Sequence, residues 1–242
     1  ISLTPEGKKL YEHVAIAYEQ LQIGEEEIRQ NGELENGLVS IGASENALRL
    51  VLLSRLDKFH EQYPHVRLRF SNHSTPQAIQ ALTSDIVDFA AVTTPLDIKS
   101  PLEKIPLASY REILIGGRKY KKLAEHTQKL EDIASLPFIS LDENSSTREL
   151  YNSFFLEHGL SFAPDMETAT TDQMLPLITH NLGIGFYPKK MAELALTKGD
   201  VYQIPLEEKL PLRRIYLVTN GSTAKSTAVR KMIKFIQEYH KI

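Results

Sequence analysis

The sequence predicts an α/β protein in which two lobes follow a long, self-associating helix. Three observations predict it. Short apolar runs alternate with amphipathic helical runs from Leu38 onward, the mark of parallel strands joined by helical crossovers. That alternation occurs twice in different words, once before and once after the run "EILIGG" at Glu112–Gly117. Ahead of both, apolar or small residues recur at spacings of three and four over almost four heptads.

The opening helix has a marked start. Thr4 offers a hydroxyl cap, Pro5 stands where its missing N–H is not needed, and Glu6 lies near the positive end of the dipole. The seam is Leu3, Gly7, Leu10, Val14, Ala17, Leu21, Gly24 and Ile28, and Asn31-Gly32 is the expected stop. A helix over 5–30 would be roughly 40 Å long. A period of 3.5 suits a partner helix, so Leu3, Leu10, Val14, Ala17, Leu21 and Ile28 are expected to dimerise; the alternative is a stripe lying on the chain's own body.

After the break "NGELENG" come a strand, "GLVSIGAS", and a helix over 46–63 with Leu48, Val51, Leu52, Leu56 and Phe59 on one face. The strand "VRLRFSN", the helix "STPQAIQALTSDIVD" and the strand "FAAVT" complete the first unit. The second unit reads as strand "EILIGG", helix "KKLAEHT", strand "PFISL", helix "TRELYNSFFLEHG", strand "METATT", helix "DQMLPLITHN", strand "GIGFYP" and helix "KKMAELAL". A last strand, "RRIYLVTN", leads to an amphipathic helix from Thr223 to about Tyr239. Parallel pairing with right-handed crossovers is expected in the first unit, and the second repeats the pattern.

In such folds ligands bind beyond the carboxyl ends of strands, where helix N-termini present free N–H groups. Hydroxyl and amide residues crowd these positions: Ser44; Ser74 and Thr75; Asn144, Ser145, Ser146 and Thr147 ahead of Arg148; and Thr168, Thr170 and Thr171. Each is explained by helix capping, and a cap at a cleft can also touch a ligand. Converging, they would form a site for a small polar or anionic molecule, with Arg148 as a candidate anion partner.

Composition narrows the classes of function. The chain has 242 residues, 42% hydrophobic, with a net charge of −3. Residues 1–36 hold eight acids against three bases, so no clustered basic surface for nucleic acid is supplied by these residues. With no cysteine there is no disulfide, thiolate metal site or cysteine nucleophile, and a reducing cytoplasmic setting is expected. No run approaches the roughly 20 apolar residues of a membrane span. Enzyme signatures are missing: "GIGFYP" has Pro188 where a dinucleotide fingerprint needs glycine or alanine, and neither a phosphate loop nor a nucleophile elbow occurs. His60 and His65 flank a Tyr-Pro turn and lack metal spacing, and acid pairs such as Asp142-Glu143 sit in loops. No metal, cofactor or catalytic residue is expected.

Five segments, in order, resemble LysR-type transcriptional regulators: "ISLTPEGKKLYEHV" their linker helix, then "GLVSIGAS", "LDKFHEQYPHVRLRF", "ALTSDIVDFAAV" and "NLGIGFYP" their effector domain. The resemblance covers the whole chain. It implies a type II periplasmic-binding-protein-like fold, a linker helix over 1–33, a first lobe over 37–109 completed by 216–242, a second lobe over 110–215, and hinges near Ser109–Glu112 and Arg213–Tyr216. It implies a homodimer or homotetramer, a small-molecule effector and DNA contact through an upstream winged helix-turn-helix outside these residues. Effector contacts would fall at Ala43, Ser44, Glu45, Ser74, Thr75, Asn144 to Thr147, Thr168, Gly183 and Gly185, beside the candidate anion partner Arg148. A solute-binding receptor of a transport system is the rival with the same two lobes. Asp85 and Asn181 stand where the family often has glycine; both tolerate left-handed geometry, so the fold is expected to survive them.

Overall fold

The structure is a computed structural model that describes Thr4, Pro5, Gly7, Leu10, Tyr11, Val14, Ala17, Tyr18, Gln20, Leu21, Gly24 and residues 37–239. From Pro5 to Gly24 every described position is helical, and Thr4 Oγ1 accepts from Gly7 N at 3.1 Å, which is the cap its sequence promised. Leu10, Val14 and Leu21 are 54–67% exposed, and Ala17 is also exposed. Leu3, Ile28 and the expected stop lie outside the described residues.

The first lobe is built on β1 (Leu38–Ala43), β2 (Arg67–Asn72), β3 (Phe89–Thr93), β4 (Leu102–Tyr110) and β10 (Arg213–Asn220), in the order β2-β1-β3-β10-β4. Helix α1 covers 45–62; its Leu48–Leu52 turn is π-helical. With α7 (Thr227–Glu238) it covers one face, where Val39, Ile41, Leu52, Phe59, Ile215, Met232 and Ile236 interlock. Helix α2 (Thr75–Thr83) covers the other through Ala78 and Leu82, against Ala90, Val92 and Val218. Strand β3 sends Phe89 and Ala91 one way and Ala90 and Val92 the other, which is why its five residues are all buried and continuously apolar.

The second lobe holds β5 (Glu112–Gly117) between β8 (Ile184–Pro188) and β9 (Val201–Ile204), and a parallel pair, β6 (Ile139–Leu141) with β7 (Met166–Thr168). A bridge from Phe138 to Ile184 joins that pair to β8. Helix α4 (Ser146–Glu157) lies over an aromatic cluster of Phe138, Tyr151, Phe155, Phe162 and Phe186. Helices α5 (Thr171–Thr179) and α6 (Lys189–Lys198) close the opposite face with Met174, Ile178 and Ala192; α3 (Leu130–Ile133) is a single turn.

Several expectations need correction. Pairing is not parallel throughout: β10 is antiparallel to β3 and β4, and β5 is antiparallel to β8 and β9. The reason is topological, since β4 runs into β5 through Arg111 alone and β10 brings the chain back, so these strands join their sheets without a helical crossover. Strands β4 and β9 went unread in sequence. β4 is an edge strand with Pro106 beside a register shift, where a missing N–H is tolerated. The run Arg118–Glu125 is a 3-10 helix, not an α-helix, with Tyr120 buried under it. Helix α7 begins at Thr227 rather than Thr223, because Ser226 is the cap and accepts from Val229 N at 3.3 Å. Asp85 and Asn181 do take positive φ, 54° and 64°.

Candidate functional site

Four helix N-termini meet between the lobes. Ser44 follows β1 in extended geometry and caps α1, its Oγ accepting from Ala47 N at 3.3 Å. Thr75 opens α2 and ties it to β3 by donating to Thr93 O at 3.0 Å. Ser145 caps α4, accepting from Arg148 N at 3.1 Å. Thr170 and Thr171 open α5. Each helix end carries roughly half a positive charge, so the four together favour an anion or an acceptor-rich molecule.

The cleft they line is narrow: about 30 Å³ of it admits the centre of a water molecule. Its walls include Ser44, Glu45, Ser74, Thr75, Ser145, Ser146 and Thr147 from the sequence-predicted set. They also include Asn46, Asn72, His73, Thr93, Thr170 and Thr171. Two of these hold buried polar atoms with no hydrogen-bond partner, Asn46 Oδ1 and His73 Nε2, while Ser74 Oγ has only the capping-box contact from Gln77 N. A buried, unmade hydrogen bond costs about 1–3 kcal/mol, and two on residues lining one cleft mark a place where a polar guest can satisfy them.

The remaining predicted residues do not line this cleft. Ala43 is the last residue of β1 and buried in the core. Asn144 is held by its own loop, donating from its backbone N to Asp142 Oδ1 at 3.0 Å. Arg148 is committed elsewhere: Nη1 donates to Glu167 Oε1 at 2.7 Å, Nε donates to Asn152 Oδ1 at 3.1 Å, and the guanidinium lies over Phe162. Thr168 Oγ1 donates to Ser140 O at 3.3 Å within the parallel pair. Gly183 and Gly185 let strands approach, since a Cβ there would sit 2.6 Å from Pro137 O and 2.8 Å from Ile139 O.

Glu45 is the one acid on the cleft wall. Burial first, and then the nearby Asp172 carboxylate, push its pKa above the ordinary value, against smaller opposing effects of Arg49 and of Asn72, which donates to Glu45 Oε2 at 3.1 Å.

Behind the cleft, at the crossover strands, lies a group that periodicity could not reveal. Arg213 is 1% exposed and paired with Glu112 at 2.8 Å. Its Nε donates to Thr94 O at 2.8 Å, and Nη2 donates to Thr93 Oγ1 at 3.3 Å and to Thr147 Oγ1 at 3.0 Å. Thr93 belongs to the first lobe and Thr147 to the second, so one guanidinium grips both cleft walls. Burial alone would lower its pKa, but Glu112, Tyr110 and Tyr151 outweigh that and raise it. Tyr151 donates to Glu112 Oε2, and burial pushes the neighbouring Tyr110 phenol up to about 12. Among the described residues no cluster of three metal-ligating side chains occurs, and no helix is long and apolar enough to cross a membrane.

Known proteins share this fold. The LysR substrate binding domain profile matches residues 32–241. The HTH-type transcriptional regulator YeiE of Escherichia coli (strain K12) is 22% identical over 229 residues, covering 95% of this chain and 76% of that protein. The effector binding domain of QuiR in complex with shikimate superposes with a TM-score of 0.74 at 20% identity, over 85% of this chain and 98% of that one. The regulatory domain of CcmR from Synechocystis PCC6803 in complex with 2-PG gives 0.75 at 15% identity, over the same shares. These two structures share the fold, a two-lobed periplasmic-binding-protein-like α/β architecture. With the profile spanning both lobes, this chain belongs to the LysR substrate-binding-domain family.

Proposed function

We propose that the cleft binds a small hydroxylated carboxylate, which offers hydroxyl donors as well as anionic acceptors, and that its occupancy controls a transcriptional regulator. The observation that carries this reading is a pair of unsatisfied buried atoms, Asn46 Oδ1 and His73 Nε2, on residues that line a cleft where four helix N-termini meet. Two structural neighbours hold shikimate and 2-PG, which supports a polar guest of this size. The homologues that are named as transcriptional regulators support a non-enzymatic role.

In this reading the effector draws the lobes to one relative angle by binding that arrangement more tightly. A tenfold preference supplies about 1.4 kcal/mol, enough to redistribute two near-equal states. The opening helix carries the change outward. Its exposed Leu10, Val14 and Leu21 pair with the same residues of a second copy, and DNA is contacted by a module preceding it. That seam favours a regulator over a transport receptor, which has no use for it.

The test titrates shikimate and a series of small carboxylates into the chain by calorimetry, with scattering profiles of free and bound protein. Thr75→Val and Ser145→Ala should each weaken binding about tenfold, the worth of a lost hydrogen bond to a charged group. Unchanged affinity in both variants, or binding without any change of profile, refutes the cleft or the switch respectively. Leu10→Glu with Leu21→Glu should shift sedimentation to single chains; a dimer that persists refutes the seam.

A further inference from the structure

A second, roomier cavity lies beyond Tyr110, which lines it and whose hydroxyl accepts from Asn46, a cleft residue, at 3.3 Å. About 430 Å³ of it admits the centre of a water molecule. Leu50, Val51 and Ile215 of the first lobe and Pro188 of the second give it apolar walls. Arg55, Arg111, Lys189 and Lys190 also line it, against one carboxylate, Glu193.

Those cations are poorly compensated. Arg111, Lys189 and Lys190 make no ion pair among the described residues. The two lysines occupy the first turn of α6, where the dipole is already positive, no acid stands in that turn, and Pro188 supplies no side-chain cap. Arg55 is 2% exposed, and its guanidinium donates to two neutral carbonyls, Ile236 O at 2.7 Å and Leu107 O at 3.3 Å, and lies 5.9 Å from the centre of the Tyr239 ring, with no carboxylate in an ion pair with it among the described residues. The end of α7 at Ile236 offsets part of that charge. Burial pulls the Arg55 pKa down, against a smaller opposing effect of Tyr239, whereas Arg213 has Glu112 as its counter-charge. A buried charge ordinarily has a counter-charge, and here the open space beside it is where one fits.

We propose that this cavity binds a small amphipathic anion, a carboxylate or sulfonate with a short hydrocarbon body. The headgroup lies among Arg111, Lys189, Lys190 and Arg55, and the hydrocarbon lies on Leu50, Val51 and Ile215. No residue lining this cavity lines the cleft, so the proposal is independent of the effector reading.

The test is calorimetric titration of the full chain with hexanoate, with inorganic sulfate and hexanol as controls. Hexanoate should bind one per chain and more tightly than either control. The triple variant Arg111→Gln, Lys189→Gln, Lys190→Gln alters exposed side chains only, keeps the circular dichroism of the parent, and should weaken hexanoate about tenfold or more. The cleft pair Thr75→Val, Ser145→Ala should leave hexanoate binding unchanged. Hexanoate that does not bind, binds equally to the triple variant, is lost in the cleft pair, or is matched by sulfate or hexanol overturns the proposal, and none of these results bears on whether the cleft takes its own ligand.

Discussion

Replacing Glu112 by Gln isolates the charge of the pair that joins the lobes. Both side chains are nearly sealed from water, 1% exposed for Arg213 and 3% for Glu112, so the guanidinium left behind has no solvent to turn to. Removing one partner of such a pair costs about 3–5 kcal/mol. Gln keeps an acceptor near Arg213 and a partner for Tyr151, which places this change at the lower end, about 3 kcal/mol. For a chain of this length that is roughly 6–12 °C of melting temperature. Urea unfolding followed by circular dichroism measures it, because the chain has no tryptophan to report by fluorescence. Glu112→Leu combined with Arg213→Met removes both charges and should recover most of the loss. Glu112→Gln within about 0.5 kcal/mol of the parent, or a double variant no better than the single one, would refute the assignment of Arg213 and Glu112 as a charge-balanced clasp.

Two further predictions concern the cleft and the backbone beneath it. Because the Glu45 pKa is raised above 4.5, its ionised form is disfavoured in the folded state, and stability from this group falls as pH rises through the raised value. An anionic ligand beside it should therefore bind more tightly as pH falls through that value, and Glu45→Gln should bind more tightly at neutral pH with a flatter profile; calorimetry at stepped pH showing parent and variant with the same slope contradicts this. Gly183→Ala should destabilise by about 1–3 kcal/mol, because the new Cβ meets Pro137 O at 2.6 Å and Ile139 Cγ1 at 3.0 Å, whereas Gly24→Ala, with nothing within 4 Å, should favour its helix by about 1 kcal/mol. Thermal melts of both separate a packing glycine from a merely permissive one, and equal shifts would refute the distinction.

Much of the cleft was legible because capping chemistry is local. Ser44, Ser145 and Thr75 are found at helix starts by residue type and spacing, and helix starts are where an open sheet places its ligands. Arg148 was misleading for the same reason. Its position one turn into α4 is visible in sequence, but the direction of its side chain is set by Glu167 and Phe162, which are 19 and 14 residues away. His73 and Asn46 left a weaker trace: a polar residue on an otherwise apolar helix face, and a histidine just before a capping serine. Arg213 left none, since its partners Glu112, Thr93 and Thr147 are brought to it only by the crossing strands.

Residue order by itself determined the alternation of strands and helices, the cap at Thr4, the turns at Asp85 and Asn181 and the apolar seam of the opening helix. Each depends on backbone preference or on a side-chain period a few residues long. Tertiary structure alone decided the antiparallel entry of β5 and β10, the buried clasp between the lobes and the cation-lined cavity beyond Tyr110. These arise where segments about a hundred residues apart meet, and a buried charge takes whatever partner or space that meeting supplies.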